Sequence, residues 1–314
     1  MTSTAEPSRS KIAILLCTHN GEAFLKEQLD SFAAQTWDNW CLVVSDDNST
    51  DQTRHILGEY QRRWPAGRLT VRSGPAKGVA ENFMAVTRSV QGQADYYAWS
   101  DQDDVWHPDK LERAVQWLQG IPVDTPALYC GRTQLVNSDN QSIGRSPLFS
   151  KKPSFANALM QNIGGGNTMV FNQAACKVLA ETSISTVWAY HDWWAYIIIT
   201  GCGGQVHYDP EPSLRYRQHG NNTVGSNVGR SARFARLREL LKGRFQSWNT
   251  LNVQALQKHQ RRLTHEHAET FRLFAEARQR PLPMRLLQFK RSGVYRQRCL
   301  DNLGLVLAAI LGKI

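Results

Sequence analysis

Ser100-Asp101-Gln102-Asp103-Asp104-Val105-Trp106 places three carboxylates within four residues. Like charges that close repel one another, and beside apolar neighbours they lose hydration, unless a cation joins them. An Asp-x-Asp pair presents hard oxygen ligands that suit Mg2+ or Mn2+ holding a diphosphate. The same run also reads as a solvated acidic turn in which Asp103 or Asp104 caps the next helix.

Five further constellations carry groups suited to chemistry. Thr18-His19-Asn20-Gly21-Glu22 follows the first apolar run, and Ser45-Asp46-Asp47-Asn48-Ser49-Thr50-Asp51 follows the second. Asp46 and Asp47 suit the N–H of a nucleobase and ribose hydroxyls, while Asn48, Ser49 and Thr50 also read as a turn and helix cap. In Tyr190-His191-Asp192-Trp193-Trp194 a carboxylate opens a helix beside two tryptophans. Partial desolvation there would raise its proton affinity and suit a general base. Tryptophan faces suit sugar rings; the bland alternative is an N-cap aspartate with core tryptophans. Arg215 to Thr223 combines arginine and histidine with a Gly/Asn loop. Arg217 suits phosphate oxygens there, and His219 is either an extra metal ligand or a structural histidine. Asn162-Ile163-Gly164-Gly165-Gly166-Asn167 lets backbone approach a ligand closely, or is an ordinary turn. The chain contains neither Gly-x-Gly-x-x-Gly nor Gly-x-x-x-x-Gly-Lys-Ser/Thr, so dinucleotide and P-loop readings have no support.

These loops need a frame. Lys11–Cys17 is a continuous apolar run, as in a strand buried on both faces. Strands are also predicted at Trp40–Ser45, Leu69–Ser73 and Asp95–Trp99, alternating with helices at Glu22–Gln35, Thr50–Trp64 and Gly78–Val90. This order predicts an α/β fold with a mostly parallel sheet flanked by helices, which gathers the loops at the carboxyl ends of the strands. After a helix at Pro108–Gln119 come strands at Ala127–Val136 and Thr168–Phe171, with a short helix at Phe155–Asn162 between them. A helix at Asp192–Thr200 and strands at Gln205–Tyr208 and Ser213–Arg217 complete this part.

The charge is uneven. Residues 1–229 hold 19 Lys and Arg against 22 Asp and Glu (net −3), whereas residues 230–314 hold 18 against 5 (net +13). Chemistry is therefore expected in residues 10–229, and attachment to an anionic surface in a basic helical region over residues 230–314. From Ser231 apolar residues recur every three or four: Phe234, Leu237, Leu240 and Leu241, then Leu251, Leu256 and Leu263. A helix at Thr264–Arg278 precedes a final basic helix pair beyond Pro281 and Pro283. The apolar stripe suits a peripheral helix on anionic lipid, with subunit contacts as the alternative. No segment reaches the roughly 18–20 apolar residues of a spanning helix. The polar first ten residues lack a secretory signal, and six scattered cysteines show no framework spacing, so a reducing, cytoplasmic setting is expected. A nucleic-acid-binding protein using Arg261-Arg262 and Lys290-Arg291 is the rival from another class. No recognition signature supports it, and no nucleic acid partner is expected.

Taken in order, Cys17-Thr18-His19-Asn20-Gly21, Ser45 to Asp51, Ser100 to Trp106, Gly164-Gly165-Gly166-Asn167-Thr168 and His191-Asp192-Trp193-Trp194 resemble family 2 glycosyltransferases of the GT-A fold over about residues 10–225. With Tyr216 to Asn222 they resemble the bacterial rhamnosyltransferase branch. That resemblance implies inverting transfer from a nucleotide-diphosphate sugar, dTDP-L-rhamnose favoured over UDP-sugars, with Mg2+ or Mn2+. The acceptor it implies is a lipopolysaccharide or lipid-linked glycan at the inner face of the cytoplasmic membrane. Thr18, Asn20, Glu22, Asp46 and Asp47 would hold the nucleoside end, with Gln102, Asp104 and Arg217 also on the donor. Asp103 and Asp101, with His219, would hold the metal, and Asp192 would be the general base. Gly165, Gly166, Asn167, His191, Trp193 and Trp194 would face the acceptor or sugar.

Overall fold

The computed structural model describes residues 9–218 and 244–314. The expected roles of His219 and of the stripe from Phe234 to Leu241 lie outside the described residues. Strands β1 (Ile12–Thr18), β2 (Trp40–Asp46), β3 (Leu69–Ser73) and β4 (Tyr96–Ser100) alternate with helices α1 (Leu25–Ala33), α2 (Thr53–Arg63) and α3 (Val79–Ser89). There follow β5 (Val105–Trp106), α4 (Lys110–Leu118), β6 (Ala127–Gly131), β7 (Gln134–Val136), β8 (Ser142–Arg145) and α5 (Phe155–Ala158). Then come β9 (Val170–Asn172), α6 (Gln173–Ala180), α7 (His191–Gly201), β10 (Gln205–Asp209) and β11 (Leu214–Arg217). The basic region supplies α8 (Arg244–His259), α9 (His265–Ala277), α10 (Met284–Arg291) and α11 (Cys299–Ile310).

Seven strands form the main sheet in the order β10-β6-β9-β4-β1-β2-β3. All neighbours pair in parallel except β9, which runs antiparallel to both β4 and β6. β1 is buried along its whole length, and its alternating side chains feed two cores. Ile12, Ile14 and Leu16 pack with α1, α2 and α4 on one face; Ala13, Leu15 and Cys17 pack with α3, α5, α6 and α7 on the other. A second sheet, β5-β11-β7-β8, stands beside the carboxyl edge.

The segment Ala127–Val136, expected as one strand, divides between the two sheets. Arg132 Nε donates to Ser146 O and Thr133 N to Ser146 Oγ, turning the chain out of the main sheet. β8 and α6 add elements to the predicted set; Asn172 caps α6 by accepting from Ala175 N. α7 keeps helical form despite its three isoleucines, because ten of its eleven residues are buried and packing on all sides outweighs weak propensity.

The stripe predicted to lie on a membrane is partly used elsewhere. Leu256 is buried in the same core as α7, and Leu263 packs against it, as do Phe271, Phe274, Phe289 and Leu305. Asn249 Nδ2 donates to Leu159 O at 2.8 Å, and Thr264 N to Gly201 O at 3.1 Å. These helices sit on the α/β unit because their apolar faces complete its outer layer.

Candidate active site

The carboxyl ends of β1, β2 and β4 lie side by side, with Thr18 opposite Asp46 and Leu16 opposite Ser100. Gln102 bridges the first and third loops: its Oε1 accepts from His19 N at 2.9 Å, and its Nε2 donates to His19 O at 3.0 Å. Gly21 makes this approach possible, since a Cβ there would come within 2.4 Å of Gln102 Oε1. Asn20 adopts a left-handed backbone (φ 49°), and its Oδ1 accepts from Thr50 N at 2.8 Å. Glu22 Oε2 accepts from Gln52 N at 2.9 Å. Both residues therefore tie loop to loop.

Asp46, expected to be open to a nucleobase, is almost wholly buried and its oxygens are engaged. They accept from Thr18 Oγ1 (2.9 Å), Ser49 Oγ (2.5 Å) and Arg54 Nε (2.6 Å). Burial pushes its pKa up, but these hydrogen bonds outweigh burial and hold the carboxyl below the usual range. Asp47 is half-buried and gathers the loop after β3, accepting from Ala76 N at 2.6 Å and Gly78 N at 3.1 Å.

Asp101 and Asp103 are half-buried, whereas Asp104 is fully buried. Burial, then repulsion from Asp103 and Asp192, pushes Asp101 up to about 7. Burial and the charges of Asp103 and Asp101 likewise raise Asp104 well above the carboxylate range. Asp104 accepts from Asn167 Nδ2 at 2.5 Å. It braces the glycine loop, and it is wholly buried rather than open to a donor sugar as expected for it.

The sense of β9 explains how that loop arrives. An antiparallel strand enters the sheet from the carboxyl edge, so the loop before it, Gly164–Met169, lies against the acidic cluster, and Trp99 N donates to Met169 O. Gly166 N donates to Asp192 Oδ2 at 3.2 Å. Asp192 in the first turn of α7 is also stabilised by the helix dipole. The expected base and the expected acidic cluster thus come together, as the mutual repulsion of Asp101 and Asp192 registers.

Four further expectations change. Trp193 and Trp194 do not face a sugar: both are core residues, with Trp193 Nε1 donating to Ala158 O and Trp194 stacked on Trp188. A helix buried at ten of its eleven positions turns both rings inward. His191 is buried too, stacked on Phe83 at 4.3 Å, and its ring backs Gly166. Burial lowers its pKa, opposed by the neighbouring Asp192 charge. Arg217 is not an arm open to diphosphate; it is 1% exposed and inserted beneath the cluster. Its Nε donates to Asp103 O (3.1 Å), Nη1 to Ser138 O (2.5 Å) and Nη2 to Glu27 (2.8 Å).

Lys110 is a site residue that the motifs did not single out. Wholly buried, it donates to Asn167 O at 2.5 Å and lies 3.3 Å from the centre of the Trp106 ring. Burial lowers its pKa, opposed by Asp104 and Asp101. Its amino group lies beneath the carboxylates. The sequence signal was a lysine on the buried stripe of α4, beside Leu111, Ala114, Val115 and Leu118.

Among the described residues no group of three or more His, Cys, Asp or Glu side chains converges as a metal site. Asp101 and Asp103 alone suit a cation whose other ligands are substrate phosphate oxygens and water, the usual arrangement for Mg2+ with a diphosphate. Burial, and after it the negative charge of Asp103 and Asp192, drives Asp101 toward protonation, and a cation would relieve that charge. The donor set therefore fits the metal that the resemblance implies.

Residues 13–181 match the profile of Glycosyl transferase family 2. The chain belongs to that family. It is 29% identical over 232 residues to dTDP-rhamnosyl transferase RfbG of Shigella flexneri, covering 71% of this chain and 78% of that protein. It is 27% identical over 212 residues to the uncharacterized protein Rv1520 of Mycobacterium tuberculosis, matching 66% of this chain and 59% of the relative. The fold resembles S. aureus TarS (TM-score 0.52, 15% identity, 91% of this chain and 92% of that one). It also resembles the mannosyltransferase PcManGT of Pyrobaculum calidifontis in complex with GDP-Man and Mn2+ (TM-score 0.51, 17% identity, 97% and 86%). The family 2 glycosyltransferase thus has the GT-A fold, as its motif order implied.

Proposed function

We propose that this glycosyltransferase moves L-rhamnose from dTDP-L-rhamnose, with inversion and with Mg2+ or Mn2+, onto a lipopolysaccharide or lipid-linked glycan acceptor at an anionic membrane surface. Similarity to the Shigella dTDP-rhamnosyl transferase supports the donor. The Mn2+ in the mannosyltransferase complex supports the metal. The observation that carries the chemistry is the meeting of Asp192, the Gly166 amide and the Asp101–Asp103 carboxylates at one sheet edge.

In this reading Asp101 and Asp103 face the diphosphate end of the donor. A bound divalent cation would supply positive charge against the departing diphosphate. Asp192 accepts the proton of the acceptor hydroxyl as that oxygen attacks the anomeric carbon from the face opposite the leaving group. A single displacement inverts the centre. The hydrogen bond from Gly166 N orients the Asp192 carboxylate, while Lys110 holds the glycine loop and Arg217 the acidic loop beneath the donor. The loops after β1 and β2 form the nucleoside end, with Asp47 offering more accessible oxygens than Asp46.

The test is binding and turnover of dTDP-, UDP- and GDP-sugars by the purified protein with Mn2+ or with EDTA. Metal-dependent use of dTDP-rhamnose, weakened in Asp103→Ala and reduced about 10²–10⁴-fold at the chemical step in Asp192→Asn, is expected. Preference for a UDP-sugar would replace the donor and leave the mechanism standing. Failure to bind any nucleotide sugar with metal present would overturn the reading.

A further inference from the structure

Nine of the sixteen large apolar side chains exposed among the described residues fall between Leu282 and Leu311. Most belong to α11. Its inner face carries Leu305, Ala308 and Ala309 into the core. The opposite arc carries Leu300, Leu303, Val306, Leu307, Ile310 and Leu311, between 43% and 71% exposed. At 3.6 residues per turn these six form one continuous stripe. A surface helix usually presents polar residues there; the single charged residue of α11, Asp301, is half-buried away from this stripe. The neighbouring α10 exposes Met284 and Leu287.

Charge surrounds the stripe in sequence. Residues 278–314 contain eight Lys and Arg against one acidic residue. Lys290 and Arg291 are exposed at the end of α10, and Arg298 is the N-cap of α11. Apolar side chains flanked by cations match a bilayer with anionic headgroups, which takes the former into its acyl boundary and attracts the latter. No helix among the described residues is long and apolar enough to cross a membrane, so α11 would lie in the interface.

We propose that the outer face of α11, with Met284 and Leu287 of α10, is the surface that docks this enzyme on an anionic phospholipid bilayer. This rests on the membrane part of the function proposed above and assigns it to one face; α8 and α9 give their buried apolar side chains to the core. The docking face is also joined to the catalytic unit. Gln297 Nε2, just before α11, donates to Asn157 Oδ1 at 3.2 Å, and the same oxygen accepts from Tyr196 OH of α7 at 3.1 Å. Asn157 Nδ2 donates to Tyr295 O at 3.0 Å. Docking would thus fix the helix that carries Asp192 in its first turn relative to the membrane, as a lipid-linked acceptor requires.

The test is sedimentation of the full chain with phosphatidylethanolamine/phosphatidylglycerol vesicles and with phosphatidylcholine vesicles. Leu303→Glu/Leu307→Glu is compared with wild type, with thermal melting and nucleotide-sugar binding as controls for the fold. Preferential binding to anionic vesicles, weakened at least about ten-fold in the double variant at unchanged melting and donor binding, is expected. Equal vesicle binding by wild type and variant would overturn the assignment of the face and leave the membrane reading intact. No binding of wild type to anionic vesicles would overturn both, without touching the transferase chemistry, which donor binding reports. A wild-type dimer that the double variant converts to monomer, with no vesicle dependence, would make a second copy of the chain the occupant and overturn the proposal.

Discussion

Lys110 places an amino group where charge is costly, and the acidic cluster above it offsets part of that cost. Replacing it by Met removes the donor to Asn167 O and the amino group that faces Asp101 and Asp104. Lys110→Met is expected to destabilise the metal-free protein by about 1–3 kcal/mol, because a buried carbonyl is left without its donor; thermal melts of the two proteins check this. Asp101 makes the complementary case. Its folded pKa of about 7 lies above the ordinary 3.8, so between those values the native state holds a proton that the unfolded chain has released. Stability of the metal-free protein therefore falls as pH rises through that window and levels off above it. Asp101→Asn lacks this term. Its stability relative to wild type should grow by about 1–3 kcal/mol from pH 4 to pH 7.5, while metal-dependent donor binding is lost. Parallel melting curves for the two proteins would refute the assignment.

Gly166 belongs to the scale of elements, because it sets how closely the loop before β9 meets the start of α7. A Cβ there would lie 2.5 Å from His191 Nε2, and that ring is confined between Phe83 and Trp99. Gly166→Ala is expected to cost about 1–3 kcal/mol and to displace the amide that holds Asp192, lowering kcat more than donor affinity. Gly304 is the contrast: a Cβ on that α11 residue meets nothing within 4 Å, so Gly304→Ala should stabilise by about 0.5–1 kcal/mol. Chemical denaturation of the two variants compares them directly. The sheet and its acidic loops were legible because β1 is an unbroken apolar run and each motif directly follows such a run. The sense of β9 was not, since it is a three-residue strand whose direction depends on pairing with β4 and β6, far away in sequence. Nor did local composition tell whether Trp193, Trp194 and Arg217 face a cleft or the interior. Aromatic and arginine side chains serve both settings, and only the surrounding helices decide.

At the scale of the whole molecule, the division of charge near residue 230 does not coincide with a division of the core. Phe289, Val294, Leu305, Ala308 and Ile314 are buried in the cluster that also contains Trp193, Tyr196 and Phe155. Gln297 lies within the same contacts: its backbone N donates to Gln161 Oε1 at 2.9 Å, and its side chain donates to Lys151 O and Asn157 Oδ1. Deleting residues 279–314 would remove these side chains from the core and uncover the residues they cover, Phe274 among them. At about 1.5–3 kcal/mol for each large apolar side chain, the gross loss is on the order of 10 kcal/mol, comparable with the whole stability of a typical domain. The deletion is therefore expected to aggregate or to melt more than about 10 °C lower, and to lose donor binding with its fold. An independent arm would behave otherwise: limited proteolysis would release it and leave a catalytic fragment with unchanged melting. The basic charge can act at a surface while the same helices complete the core, because their inner and outer faces carry different residues. Leu303→Glu, on the outer face of α11, should leave melting unchanged, whereas Leu305→Glu, two residues away and 3% exposed, should unfold the helix from the core. Calorimetry on that pair separates the two roles within a single turn of helix.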